Sequence, residues 1–261
     1  MKDRHPIGIF DSGLGGLTVA REIRRRLPSE DIVYIADTAY CPYGGRPLEE
    51  ISARAVVVTE ALIAREAKLV VAACNTASGA AIDLLREIFD LPIVGLEPAV
   101  KPAAASSVLR RIAVLATPAT LRTDRFHRLV DRHGVGVEVI KVPCPGFVEL
   151  VEAGDISGER AVTTVREALT PILEIGVDRV VLGCTHYPFL RSAIETVLGS
   201  AVEILDSGAA VARQVERVLG DRGLAASGNE GGIRLLTTGD PVIVQPAAER
   251  LWGDPLCVEA A

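Results

Sequence analysis

The chain has 261 residues, 49% of them apolar, and a formal net charge of −6. That length builds one large α/β domain or two of ordinary size, and the acidic balance argues against a protein that binds phosphate backbone in bulk, so no nucleic-acid partner is expected. The polar start, Met1 to Ile7, and the break of the first apolar stretch at Asp11 leave neither a signal peptide nor a membrane span, which makes a cytoplasmic protein the expectation.

The first predicted strand is Ile7–Asp11, followed by Ser12-Gly13-Leu14-Gly15-Gly16 and a helical pattern over Leu17–Leu27. This turn lacks the Gly-x-Gly-x-x-Gly spacing and carries no Walker lysine, so it does not read as a nucleotide site. A tight turn explains the three glycines but not Asp11, whose place at a strand end suits it to hold an ammonium group or to tune a neighbouring thiol. The second strand, Ile32–Asp37, leads to the turn Cys41-Pro42-Tyr43-Gly44-Gly45, whose phenol and free backbone are available to a cleft.

A helix over Leu48–Glu66 precedes the strand Leu69–Cys74. That strand ends in Ala73-Cys74-Asn75-Thr76, and Asn75, Thr76 and Ser78 open the next helical pattern, with Ser78 as the expected N-cap. The periodicity continues over Ala80–Phe89 into a strand at Ile93–Glu97. Further strands are predicted at Arg111–Thr117, Val137–Val142, Arg179–Cys184, Val202–Asp206 and Ile233–Thr237, with helical patterns at Arg160–Ile175 and Leu190–Leu198. Thr117-Pro118-Ala119-Thr120 takes the place of the Asp11 loop in this second series. Glu149 and Glu152, in a short helical stretch after Cys144-Pro145-Gly146, are candidate acids.

The first four strands are echoed by the next four: Ile7 lies over Ile112, Ile32 over Val137, Cys74 over Cys184 and Ile93 over Val202. The fold class expected is therefore α/β, with two pseudo-symmetric domains of mainly parallel strands facing across a central cleft. The chain after Asp206 supplies one more helix and strand.

Cys74 and Cys184 occupy matching strand ends, where α/β folds place their chemistry. Inverting a carbon centre requires a base on one face and an acid on the other, and a thiol nudged toward neutrality serves as either. His186, two residues beyond Cys184, is placed to stabilise a thiolate or relay its proton. A lone strand cysteine is a small buried hydrophobe, and Cys41, Cys144 and Cys257 are read that way. Cys74, Cys184 and His186 lack any C-x-x-C pair, so no metal is expected. Of the four lysines, Lys2, Lys68, Lys101 and Lys141, none follows a strand in a recognisable Schiff-base site, which argues against pyridoxal phosphate.

Together, Phe10-Asp11-Ser12-Gly13-Leu14-Gly15-Gly16-Leu17, Pro42-Tyr43-Gly44, Ala73-Cys74-Asn75-Thr76 and Gly183-Cys184-Thr185-His186-Tyr187-Pro188 resemble the glutamate racemases of the cofactor-independent aspartate/glutamate racemase superfamily. The first two segments favour glutamate over aspartate. The resemblance implies that Cys74 exchanges the proton of the D-enantiomer and Cys184 that of the L-enantiomer, with no cofactor. It gives Asp11 to Cys74 and His186 to Cys184, with Glu152 as a further acid on the Cys184 side and Glu149 as the alternative. Ser12, Tyr43, Gly44, Asn75, Thr76, Thr117 and Thr185 resemble the substrate-binding set. The same resemblance implies a domain of residues 1–97 plus 208–261, a second of 98–207, a homodimer, and a product that feeds peptidoglycan synthesis. Some members carry an N-terminal extension and answer to a cell-wall precursor or bind DNA gyrase; with the first strand starting at Ile7, neither is expected here.

Overall fold

The computed structural model describes residues 5–261, so Lys2 lies outside the described residues. The first run of elements is β1 (Ile7–Asp11), α1 (Leu17–Arg26), β2 (Ile32–Ala36), α2 (Leu48–Ile63), β3 (Leu69–Ala72), α3 (Asn75–Ile88) and β4 (Ile93–Gly95). The second is α4 (Val100–Ser106), β5 (Arg111–Ala116), α5 (Pro118–Arg122), α6 (Asp124–His133), β6 (Glu138–Pro143), α7 (Phe147–Glu152), α8 (Glu159–Ile175), β7 (Arg179–Leu182), α9 (Arg191–Leu198) and β8 (Glu203–Leu205). The chain closes with α10 (Gly208–Asp221), β9 (Ile233–Thr237), α11 (Pro241–Trp252) and β10 (Val258–Ala260).

β1, β2 and β3 are buried along their whole length, as continuous apolar runs must be when helices cover both faces of a sheet. They form the middle of a parallel sheet in the order β10-β9-β2-β1-β3-β4; a second parallel sheet runs β6-β5-β7-β8. The order β2-β1-β3-β4 is thus repeated as β6-β5-β7-β8. The mixed α/β class with mainly parallel sheets is what the sequence led one to expect. Edge strand β6 carries exposed Glu138 and Lys141, charges that blunt an open edge.

The ladders correct the internal register at two places. Ile7 pairs with Ile32, but Ile112 pairs with Val139, so Val139 and not Val137 is the counterpart of Ile32. Val70 pairs with Ile93 and Val180 with Ile204, so Ile204 replaces Val202. Val137 is spent in a turn, its N–H on Gly134 O, before the strand begins. The largest core cluster joins the two sheets: it holds Ile7, Ile9 and Val71 from one and Ala113, Leu115 and Leu182 from the other. Among the described residues no helix is long and apolar enough to cross a membrane.

Candidate active site

Both cysteines sit two residues beyond their strands rather than inside them, because each strand leaves the ladder at the same point. Ala73 N–H donates to Phe10 O at 2.7 Å, and Gly183 N–H donates to Leu115 O at 2.7 Å. The next residue in each case is the cysteine, so one device repeated in both halves presents both thiols.

On the first side, Cys74 has extended backbone and is itself the N-cap of α3, its sulfur accepting from Ala77 N–H at 3.5 Å. Ser78 is not the cap. Its buried hydroxyl donates to Ala72 O and accepts from Leu96 N–H, both at 2.9 Å, pinning the end of β3 to the chain beyond β4. Ser12 Oγ lies 4.0 Å from Cys74 Sγ and 3.5 Å from Asp11 Oδ1. Asp11 is fully buried and accepts from Gly16 N–H at 2.7 Å through Oδ2. Burial pushes the Asp11 carboxyl up, with His186, the Cys74 thiol and Gly16 N–H working against it. Burial and then the Asp11 charge push the Cys74 thiol well above its ordinary value.

The second side is built differently. Cys184 Sγ lies 3.7 Å from His186 Nδ1, and His186 Nε2 lies 2.6 Å from Glu152 Oε1, the same oxygen that accepts from Leu14 N–H at 2.7 Å. Glu152 is therefore the acid that reaches the imidazole, whereas Glu149 is exposed one turn away. Burial works to lower the His186 pKa, but Cys184, Cys41, Glu152 and Asp11 together raise it well above the ordinary histidine range. Thr185 Oγ1 donates to Asp11 Oδ2 at 3.4 Å, linking the two sides. Thr185 and His186 do not start an α-helix; a 3-10 turn, Tyr187–Leu190, leads into α9.

The remaining binding candidates collect around the same point. Thr76, Thr117 and Thr120 place their hydroxyl oxygens within 2.9 to 3.0 Å of one another across the two halves. Gly44 packs so close to Thr117 that a Cβ there would lie 2.7 Å from Thr117 Cβ. The buried amide Nδ2 of Asn75 has no hydrogen-bond partner. Asn75, Cys184 and Thr185 line a cavity of about 180 Å³. The phenol of Tyr43 points elsewhere: it donates to Asp37 Oδ2 at 2.5 Å, and Arg54 clamps the same carboxylate with two bonds at 2.8 and 3.0 Å.

The glycines of the first turn have a different cause from the one their spacing suggests. Gly13, Gly15 and Gly16 all have ordinary backbone, none with positive φ. Gly13 and Gly15 are small because side chains from the second half come to rest on them, whereas Gly16 is crowded from its own half, where a Cβ would lie 2.7 Å from Tyr34 Oη and 2.9 Å from Asp11 Cβ. A Cβ at Gly15 would lie 2.6 Å from His186 Cγ and Cε1; one at Gly13 would lie 2.7 Å from Glu152 Cδ and 3.0 Å from Cys41 Sγ.

Sequence reasoning left Cys41 among the structural thiols, yet Cys41, Glu152 and His186 bring their donor atoms within 4.8 Å of one another. No spacing could have signalled this, since the three lie in three separate loops and helices. Lys68, by contrast, is buried against Glu30 at 2.7 Å.

Burial lifts the Cys41 thiol from 9.0 to about 11, with His186 opposing the rise. An unfolded chain releases this proton from about pH 9, whereas the native chain holds it. Stability is therefore fully present below pH 9 and falls as pH rises toward 11, by about 2–3 kcal/mol from this group. Urea unfolding at pH 8 and pH 11 should show the wild type losing that much more than Cys41→Ser. Equal losses would remove Cys41 as the cause.

The family model Asp/Glu/Hydantoin racemase matches residues 15–215. The glutamate racemase of Herpetosiphon aurantiacus is 50% identical over 242 residues, 92% of this chain and 95% of that protein. Among solved structures, glutamate racemase isoform RacE1 of Bacillus anthracis superposes with a TM-score of 0.90 at 33% identity, covering 99% of this chain and 98% of that one. The Francisella tularensis glutamate racemase, in complex with D-glutamate, has a TM-score of 0.87 at 30% identity, over 99% of this chain and 98% of that one. The chain belongs to the Asp/Glu/Hydantoin racemase family.

Proposed function

We propose that the chain interconverts L- and D-glutamate without a cofactor, using Cys74 and Cys184 as the two proton carriers. The observation that supports this most is the repeated Phe10–Ala73 and Leu115–Gly183 hydrogen bond, which puts a thiol at equivalent places in both halves. In this reading the α-hydrogen leaves toward one sulfur while the other sulfur delivers a proton to the opposite face. Cys184 serves the L-enantiomer; the imidazolium of His186, 3.7 Å away and held by Glu152, stabilises the charge that sulfur acquires. Cys74 serves the D-enantiomer, with Asp11 and Ser12 at its side.

The substrate is held by Asn75, whose amide N–H donors lack a protein partner, and by Ser12, Gly44, Thr76, Thr117 and Thr185, with Tyr43 contributing its backbone while its phenol stays on Asp37. A buried unpartnered donor is costly unless a ligand satisfies it, and a carboxylate is the acceptor such a group suits. The catalytic cleft lies between a domain of residues 1–97 plus 208–261 and one of 98–207. We extend the same proposal to a cytoplasmic homodimer whose D-glutamate is used in peptidoglycan synthesis.

Incubation of the purified protein with L-glutamate in D₂O, without pyridoxal phosphate, tests the activity. Optical signal should decay to zero while deuterium enters the α-carbon. Exchange with aspartate alone would keep the two-thiol chemistry and change the substrate. Exchange with neither would reject the proposal.

A further inference from the structure

One cluster of donors at the site includes a thiol, Cys41, that the proposed reaction does not use. Cys41 follows the 3-10 turn Thr38–Tyr40, Glu152 ends α7, and His186 follows β7 and Cys184. Each offers a ligand atom, and the three atoms lie within 4.8 Å of one another. They meet above Gly13, where only the missing Cβ leaves the sulfur and carboxylate room. A pocket of about 350 Å³, lined by Leu14, Thr38, Cys41, Glu152 and Asp240, leads to two of the three donors. Cys41 and Glu152 are partly exposed toward it, whereas His186 is buried behind them.

We propose that Cys41, Glu152 and His186 form a binding site for Zn²⁺ that switches the racemase off. The donor set is one thiolate sulfur, one imidazole nitrogen and one carboxylate oxygen, each a normal zinc ligand, with the fourth tetrahedral position left to water. The sulfur and nitrogen disfavour Mg²⁺ and Ca²⁺, which take oxygen. Binding exchanges protons for metal with no redox step: the Cys41 thiol proton and the proton shared between His186 and Glu152 pass to the buffer as the ion enters. The switch follows from geometry, because the ion takes the lone pairs through which Glu152 holds His186 against Cys184. This inference rests on the proposed roles of His186 and Glu152, but metal capture by the three donors does not.

Two readouts keep those questions apart. Reduced, EDTA-treated protein is titrated with ZnCl₂ in a calorimeter, and with CoCl₂ while thiolate-to-cobalt absorption is followed in the near ultraviolet; racemisation is measured over the same zinc range. One equivalent should bind, give the absorption band, and inhibit turnover reversibly with EDTA. Cys41→Ser should keep most basal turnover, lose the band, and weaken both zinc affinity and inhibition at least about tenfold, since even outer partners of a metal ligand are worth that much. Glu152→Gln, read by calorimetry alone, should lose zinc affinity by a similar factor, and serves if the Cys41 variant fails to fold. Unchanged zinc affinity in either variant, or an unchanged cobalt band in Cys41→Ser, would overturn the site. Binding without inhibition would overturn the switch.

Discussion

Cys74→Ser should stop inversion while leaving exchange on one face. A serine hydroxyl is far too weak an acid and base to replace a thiol in this step, so racemisation should fall by about 10²–10⁴-fold, the usual contribution of a positioned general acid or base. Cys184, with its His186 and Glu152 partners intact, should still remove and return the proton of L-glutamate. In D₂O this variant should therefore place deuterium in L-glutamate without loss of optical signal. Cys184→Ser should show the converse, labelling D-glutamate alone. The assignment of sides fails if the labelled enantiomers are exchanged, and the two-thiol mechanism fails if either variant still inverts its substrate at a rate near wild type.

Gly15→Ala should cost about 100-fold in kcat although the residue touches no substrate. Its Cβ would fall against the ring of His186, 2.6 Å from Cγ and Cε1. The ring is buried between Cys184 and Glu152, so it can yield only by giving up the place those contacts define. A displacement of about 1 Å at a reacting group is worth roughly two orders of magnitude. Gly45→Ala provides the control, since nothing lies within 4 Å of its added methyl group. Measured kcat for both variants, with circular dichroism spectra to verify folding, decides the matter. A silent Gly15→Ala would show that His186 need not hold its place.

Strands β1 and β9 coincide with their predicted runs residue for residue; β1 is buried along its whole length, and a parallel strand covered on both faces must be apolar there and so writes itself plainly. The predicted runs ending at Cys74 and Cys184 overshoot β3 and β7 by two residues. The apolar character continues there, but the backbone has already left the ladder to present the thiols. β10 was invisible: Val258–Ala260 is three residues long and takes its register from β9. The pairing of Glu152 with His186 spans 34 positions, and the crowding of Glu152 on Gly13 and of His186 on Gly15 joins residues more than a hundred positions apart. Periodicity reports only which face of a local element is covered. It carries no record of what arrives from the other half, and for that reason a local reading leaves Cys41 a structural thiol and gives Gly13 and Gly15 only a tight turn.

The two thiols share a backbone device but stand beside unlike partners, a carboxyl and hydroxyl at Cys74, an imidazole and carboxylate at Cys184. Mirror-image substrates have equal free energies, so for a racemase kcat/KM must be identical in the two directions whatever surrounds each sulfur. The unlike partners can therefore act only on how each direction divides that common ratio. One enantiomer can be bound tightly and turned over slowly while the other is bound loosely and turned over fast. The asymmetry built around a duplicated frame thus sets the concentrations at which each isomer saturates the protein, and leaves the position of equilibrium untouched.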